Sequence, residues 1–249
     1  MAWDFISVST YVEAVSDNIT LNAPTGAAQG DLLIAVIAYR AADAFTPNDA
    51  AWQLVATQQS SGDIDATQGI ASGVMYYCIR GAANPGFQFN RTGGNVAQGT
   101  VLCYRGNDPL VASVYDTGGA ATLAAIGEPA LAAITTALNY ELVVCMISHG
   151  DNSLCSGVDC AEGETVASGA TDTTTEPTAN TFLERFDRGS NTGADTGLCV
   201  ADVVRPTSGT TGAFFAVAAN TTRSVFIVGA FKMDLVGFVK PRTNTLLRM

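Results

Sequence analysis

The sequence predicts an all-β fold, an antiparallel β-sandwich of jelly-roll character, and three observations carry that prediction. Short runs rich in Val, Ile, Phe, Tyr and Thr recur along the whole chain, Gly, Asn, Asp and Pro separate them, and helical periodicity is nearly absent. Parallel sheets need helical crossovers, so the missing helices favour antiparallel pairing.

In chain order, a first strand is expected at 4–10. The run Leu32-Leu-Ile-Ala-Val-Ile-Ala38 makes 32–39 a buried strand, entered by a turn at Gly30-Asp31. A strand led by Trp52 follows at 52–57, then an aromatic strand at 73–79 that runs into Arg80, a short one at 87–90, and 96–104 leading to Arg105-Gly106. The next apolar strand is 141–148, followed by 181–186, by 198–204 leading to Arg205, by 213–218 and by 224–233. The Ala-rich stretch 120–126, closed by Gly127, is the best helical candidate and has room for only a turn or two.

The order of strand types repeats. An apolar strand, an aromatic-led strand and a strand ending in a base occur in the first half, and Leu142-Val-Val-Cys-Met-Ile147, Phe182-Leu-Glu-Arg-Phe186 and Val200-Ala-Asp-Val-Val-Arg205 follow in the same order in the second. The expectation is one domain over 1–234, with halves 18–116 and 129–234 that form two facing sheets and meet near 117–128, followed by a tail at 235–249.

The chain of 249 residues carries only 14% charged residues and a formal net charge of −11. An acidic body repels phosphate backbones, so nucleic acid is not expected as a partner. The hydrophobic fraction of 47% owes much to Ala, and no apolar run reaches the roughly 18 residues of a helical membrane span. The N-terminus Met1-Ala2-Trp3-Asp4-Phe5 lacks the basic and apolar regions of a secretory signal. Few charges leave a surface of Thr, Ser, Asn, Gln, Gly and Ala, suited to another protein or a neutral glycan.

Cys78, Cys103, Cys145 and Cys199 lie in apolar strand-like runs and read as small core residues. Cys155 and Cys160 sit in a Gly- and Ser-containing stretch, close enough for a loop disulfide under oxidation. Zinc spacing is absent. The segment 150–180 reads as a long loop and a candidate contact surface, with Asp151 and Asp159 as its candidate contact residues. In the tail, Lys240, Arg242 and Arg248 alternate with apolar residues without any acid, a strip suited to docking on an acidic neighbour.

Catalytic signatures are scarce. His149, read as a loop residue, is the single histidine, and no G-x-S-x-G elbow accompanies it. Glu141, Glu162, Glu164 and Glu184, with Asp63, Asp65, Asp151 and Asp159, are the carboxylates that a polysaccharide-cleaving enzyme would draw on. Asp63 and Asp65, or Asp151 and Asp159, are candidate calcium ligands, though neither pair fits the twelve-residue calcium loop. No phosphate-cradling loop occurs, so no nucleotide is expected. The expectation is a chain with no cofactor, no structural metal and no enzymatic activity.

The segment Pro24-Thr-Gly-Ala-Ala-Gln-Gly-Asp-Leu-Leu-Ile-Ala-Val-Ile37, then Trp52, Tyr76-Tyr77 and Tyr104-Arg-Gly106, resembles a β-sandwich module recurrent in bacteriophage and prophage virion proteins. The likeness covers roughly residues 18–110, more weakly to about 233. It implies a virion surface component, a head decoration or tail-fibre protein, commonly trimeric and bound to capsid or tail proteins. A tail-tip module that binds host glycans is the alternative. In that module Gly30-Asp31 would turn the chain, Trp52 would cap the core and Arg105-Gly106 would close an edge.

Overall fold

A computed structural model describes residues 3–59, 70–93, 95–106, 113–123, 130–152, 154–160, 164–165, 177, 179, 181–193, 195–218 and 223–233. Among these the regular structure is all β. The first half contributes β1 (Asp4–Val8), β2 (Val12–Val15), β3 (Asn18–Thr20), β4 (Leu32–Tyr39), β5 (Thr46–Pro47), β6 (Gln53–Gln59), β7 (Ser72–Ile79), β8 (Gln88–Asn90) and β9 (Val96–Arg105). The second contributes β10 (Tyr115–Leu123), β11 (Ala130–Leu131), β12 (Thr135–Thr136), β13 (Glu141–His149), β14 (Cys155–Cys160), β15 (Glu164–Thr165), β16 (Leu183–Ser190), β17 (Thr196–Arg205), β18 (Gly209–Thr210), β19 (Phe214–Ala218) and β20 (Ser224–Phe231).

The strands form antiparallel sheets packed as a sandwich. One large sheet runs β1-β9-β4-β7-β6, with β2 also on β9, and the other runs β10-β20-β13-β17-β16. Two smaller sheets, β3-β8-β5 and β11-β19-β14-β15, lie outside them, and β12 pairs β18. The large sheets face each other through Leu32, Ile34, Val36 and Met75 on one side and Leu142, Val144, Met146 and Ile227 on the other. Their outer faces carry separate cores. Leu33, Ala35 and Ile37 pack with Ile19, Trp52 and Phe89 beneath β3-β8-β5, and Val143, Cys145 and Ile147 pack with Leu131, Phe182 and Phe214 beneath β11-β19-β14.

The sandwich therefore has four layers rather than the two expected, with both large sheets in the middle. This explains the unbroken apolar runs. A strand covered on one face alternates apolar and polar residues, whereas β4, β13 and β20 are buried at every position because each face meets a core. At Gly73 the large sheets pack tightly across the seam. A Cβ there would stand 2.9 Å from the Met146 methyl, which would have to shift, and the neighbouring Ser148 hydroxyl donates to the Ser72 carbonyl at 2.8 Å.

Counted within its half, each large sheet has its strands in the same order, with β1, β9, β4, β7 and β6 matched by β10, β20, β13, β17 and β16. The irregularities match too. The first strand of each large sheet bulges at one register position, between Phe5 and Ser7 and between Tyr115 and Thr117. The last one bulges between Leu54 and Ala56 and between Glu184 and Phe186. Bulges re-aim side chains and pin register, so their coincidence aligns the halves residue by residue: Leu32 with Leu142, Tyr104 with Phe231, Tyr77 with Asp202 and Val55 with Arg185.

Three local expectations are corrected. Ala120 to Leu123 end strand β10 instead of starting a helix, because their partners Ile227 to Ser224 offer a complete ladder. The segment expected as a loop at 150–180 contains β14, an interior strand between β19 and β15. Cys155 and Cys160 stand at opposite ends of β14, about 16 Å apart at strand rise, well beyond the roughly 7 Å limit for a disulfide between them.

Candidate functional site

The charged residues of the resembling motif meet at one end of the first half. Gly30, at φ +92°, turns the chain so that Asp31 enters the buried start of β4. Arg105, at the end of β9, donates from Nε to Asp31 Oδ1 and from Nη2 to Oδ2, both at 2.8 Å, and the Ala28 N–H donates to Oδ2 at 2.6 Å. The side chain of Asp31 is 2% exposed and that of Arg105 is 46% exposed, so the pair closes this end with its guanidinium towards water. Arg105 ends an interior strand, since β1 lies outside β9, and does not close an edge. Trp52 is buried in the outer core, its indole donating to the Gly86 carbonyl at 2.8 Å.

The matching end of the second half carries more charge. Glu141 stands where Asp31 does, and its Oε1 accepts from the Leu138 N–H at 2.6 Å, as Asp31 accepts from Ala28. Lys232 stands where Arg105 does but pairs with Asp116, Nζ to Oδ1 at 3.2 Å. Asp116 is the bulge residue of β10, matching Ile6 in the first half, and its Oδ2 accepts the Ala137 N–H at 2.7 Å. Glu141 is fully buried; burial first, then the neighbouring Asp116, pushes its carboxyl up to about 7, while the Leu138 N–H and Lys232 pull the other way. The turn between them presents Leu138 and Tyr140 half-exposed, and Tyr140 has a positive φ of 62°.

A second polar cluster lies inside the seam. Arg185 donates from Nε to Asp202 Oδ2 at 2.5 Å and from Nη2 to Oδ1 at 3.0 Å, the Tyr104 hydroxyl donates to Oδ2 at 2.7 Å, and the guanidinium lies 4.1 Å from the Phe5 ring centre. Both ionic side chains are fully buried. Burial and then the Asp202 charge push the Tyr104 phenol well above its ordinary range. At the matching place across the seam, Val55, Tyr77, Phe231 and Tyr115 are apolar or aromatic, with Tyr77 stacked on Tyr115 at 5.4 Å.

The other candidates fall elsewhere. Lys240, Arg242 and Arg248 lie outside the described residues, as do Asp63, Asp65 and Glu162. Asp151 is half-buried in the turn after β13, and Asp159 occupies β14 opposite Phe215 and Thr165. His149 is not a loop residue: it ends β13 fully buried, with Nδ1 3.1 Å from the Ser224 hydroxyl, because β17 and β20 continue pairing to its level. Glu184 is also buried. Among the described residues no three His, Cys, Asp or Glu side chains converge as a metal site.

Sequence reading missed Asp116 and the partnership of Glu141. The signal was present, since 24–40 and 134–150 align without a gap and place Glu141 on Asp31 and Tyr140 on Gly30. Asp116 had no such signal, because its place depends on a bulge. No family model, no curated protein and no solved structure matches the chain.

Proposed function

We propose that the chain is a non-enzymatic structural protein of a bacteriophage particle, a decoration or spike on the head surface, built from two fused jelly rolls. The observation that carries this reading is the shared strand order. Taking eight strands from each half, the large sheet runs first-eighth-third-sixth-fifth and the small one second-seventh-fourth in both. A jelly roll pairs its strands in this way apart from the fifth, which here extends the large sheet, and jelly rolls recur in viral capsid and lectin domains.

The site chemistry supports the same reading. Asp31 and Arg105, the charged residues of the resembling motif, are engaged with each other and with backbone, a use that serves the frame. A protein with neutral polar surfaces and a strongly acidic balance suits packing on other virion proteins, as a homo-oligomer of trimeric type. Gold-labelled antibody against the chain, imaged on purified particles, tests the proposal: label over the head supports it, and absence of label overturns it.

A tail-tip module binding host glycans is the second reading, favoured by one observation. Tyr140 is half-exposed on a turn whose backbone favours glycine, an arrangement suited to stacking on a sugar ring. Label confined to the tail tip, with specific signal on a glycan array that Tyr140→Ala removes, would favour it over head decoration. A polysaccharide-cleaving activity would show as release of reducing sugar abolished by Glu141→Gln.

A further inference from the structure

We propose that Glu141 holds a proton towards Asp116, and that this proton holds the turn bearing Leu138 and Tyr140 against the end of the second half. The geometry begins with the backbone. The pair grips the turn at two successive amides, Asp116 Oδ2 taking the Ala137 N–H at 2.7 Å and Glu141 Oε1 taking the Leu138 N–H at 2.6 Å. Glu141 Oε2 is buried without a hydrogen-bond partner. Asp116, which takes the adjacent amide, is the acid set beside Glu141, and two carboxyl groups form a hydrogen bond only when one of them is protonated.

Among the described residues the groups facing the pair are few. Lys232 approaches from the end of β20 and is already within 3.2 Å of Asp116 Oδ1. Arg205 stands opposite Glu141 across β17, Tyr115 precedes Asp116 on β10, and Tyr140 is on the turn itself. Among the charges acting on Glu141, Asp116 outranks Lys232, and burial outranks both, so the proton stays up to neutral pH. With the proton gone, two carboxylates would lie in contact beside a single ammonium, and the less costly arrangement turns one of them towards water. Whichever turns releases its amide, Ala137 or Leu138.

The first half supplies an internal control. Asp31 grips the Ala28 N–H in the same way, but Ile6 stands at the bulge where Asp116 stands in the second half, and Arg105 contributes two donors to the single carboxylate. That end has no such proton to lose. The proposal does not depend on the virion reading, since it concerns only how one turn is held.

The test is nuclear magnetic resonance of the full isotope-labelled chain from about pH 5 to about pH 8.5, following the Glu141 carboxyl carbon and amide exchange at Ala28, Ala137 and Leu138. A Glu141 midpoint near 7 is expected, with protection of Ala137 or Leu138 falling about tenfold beyond the base-catalysed trend while Ala28 follows that trend. Glu141→Gln, which keeps an acceptor for Leu138 and gives Asp116 a permanent donor, is expected to remove the step. Asp116→Asn does the same from the other side and serves if the first variant does not fold. A Glu141 midpoint in the ordinary carboxylate range, both Ala137 and Leu138 following Ala28, or a step that persists in either variant would each overturn the proposal.

Discussion

Gly30 and Tyr140 occupy the same place in the two halves, each one residue before the buried acid that opens a central strand, and each at positive φ, +92° and +62°. The turn geometry is the same in both halves, while the residue is one that adopts this conformation freely in the first and one that does not in the second. Tyr140 is held there from three directions. Its N–H donates to the Arg205 carbonyl at 2.6 Å, its carbonyl accepts from the Trp3 indole at 3.2 Å, and the Asn139 side chain accepts the Ser208 N–H at 2.6 Å.

The two positions should respond oppositely to substitution. Gly30→Ala is expected to destabilise by about 1 kcal/mol through the left-handed backbone alone. Tyr140→Gly relieves the same strain and adds unfolded-state entropy, so its net effect is expected within about 0.5 kcal/mol of zero. Urea unfolding of both variants measures this. A loss above about 2 kcal/mol on Tyr140→Gly would show that the phenol packs more than its exposure suggests.

Arg185 and Asp202 form a fully buried ion pair at a place where the other half has Val55 and Tyr77. Arg185→Val leaves a carboxylate in the seam and is expected to cost about 3–5 kcal/mol. Arg185→Val with Asp202→Tyr copies the other half and removes both charges, so the double variant is expected to be more stable than Arg185→Val alone by about 2 kcal/mol. A double-mutant cycle by thermal unfolding reads the coupling. Additive losses would mean that the pair does not act as a unit.

The long strands were legible because the sheets that carry them are covered on both sides. Runs such as Leu32 to Tyr39 admit no polar residue, and nothing else in a chain without helical periodicity produces them. Short outer strands such as β3, β5 and β12, of two or three residues, leave no such signature; they exist because a neighbouring strand offers partners. Strand β10 was misread for the same reason. Its Thr-Gly-Gly-Ala-Ala-Thr is neutral in local preference, and pairing with β20 decides it. At the candidate site, Asp31 and Arg105 could be named from the motif, but their mutual contact needs the register Leu32 opposite Tyr104, which no local pattern encodes.

The four strand thiols give a separate check on the layered core. Cys78, Cys103, Cys145 and Cys199 are buried, and burial pushes the Cys78 and Cys103 thiols up to about 12. Alkylation of the native chain at about pH 8, followed by peptide mapping, is expected to leave all four unmodified, with labelling only on unfolding. Labelling of Cys103 in the native chain would place the β4-β9 region open to solvent, contrary to its burial.

The buried Glu141 carboxyl also gives global stability a pH dependence, and its sign differs from that of an ordinary ion-paired carboxylate. Glu141 binds its proton more tightly folded than unfolded, about 7 against 4.5, so between these values the native state carries more protons. Stability from this group is complete below the unfolded value and is lost as pH rises through that window, levelling above it. Water reaching the Lys232 side of the cluster lowers the full linkage value, and a loss of about 2 kcal/mol is expected. Urea midpoints from about pH 4.5 to about pH 8 measure it in the native chain and in Glu141→Gln, where this contribution is expected to vanish. Equal slopes in the two proteins would assign the pH dependence to other groups and leave Glu141 ionised throughout the window.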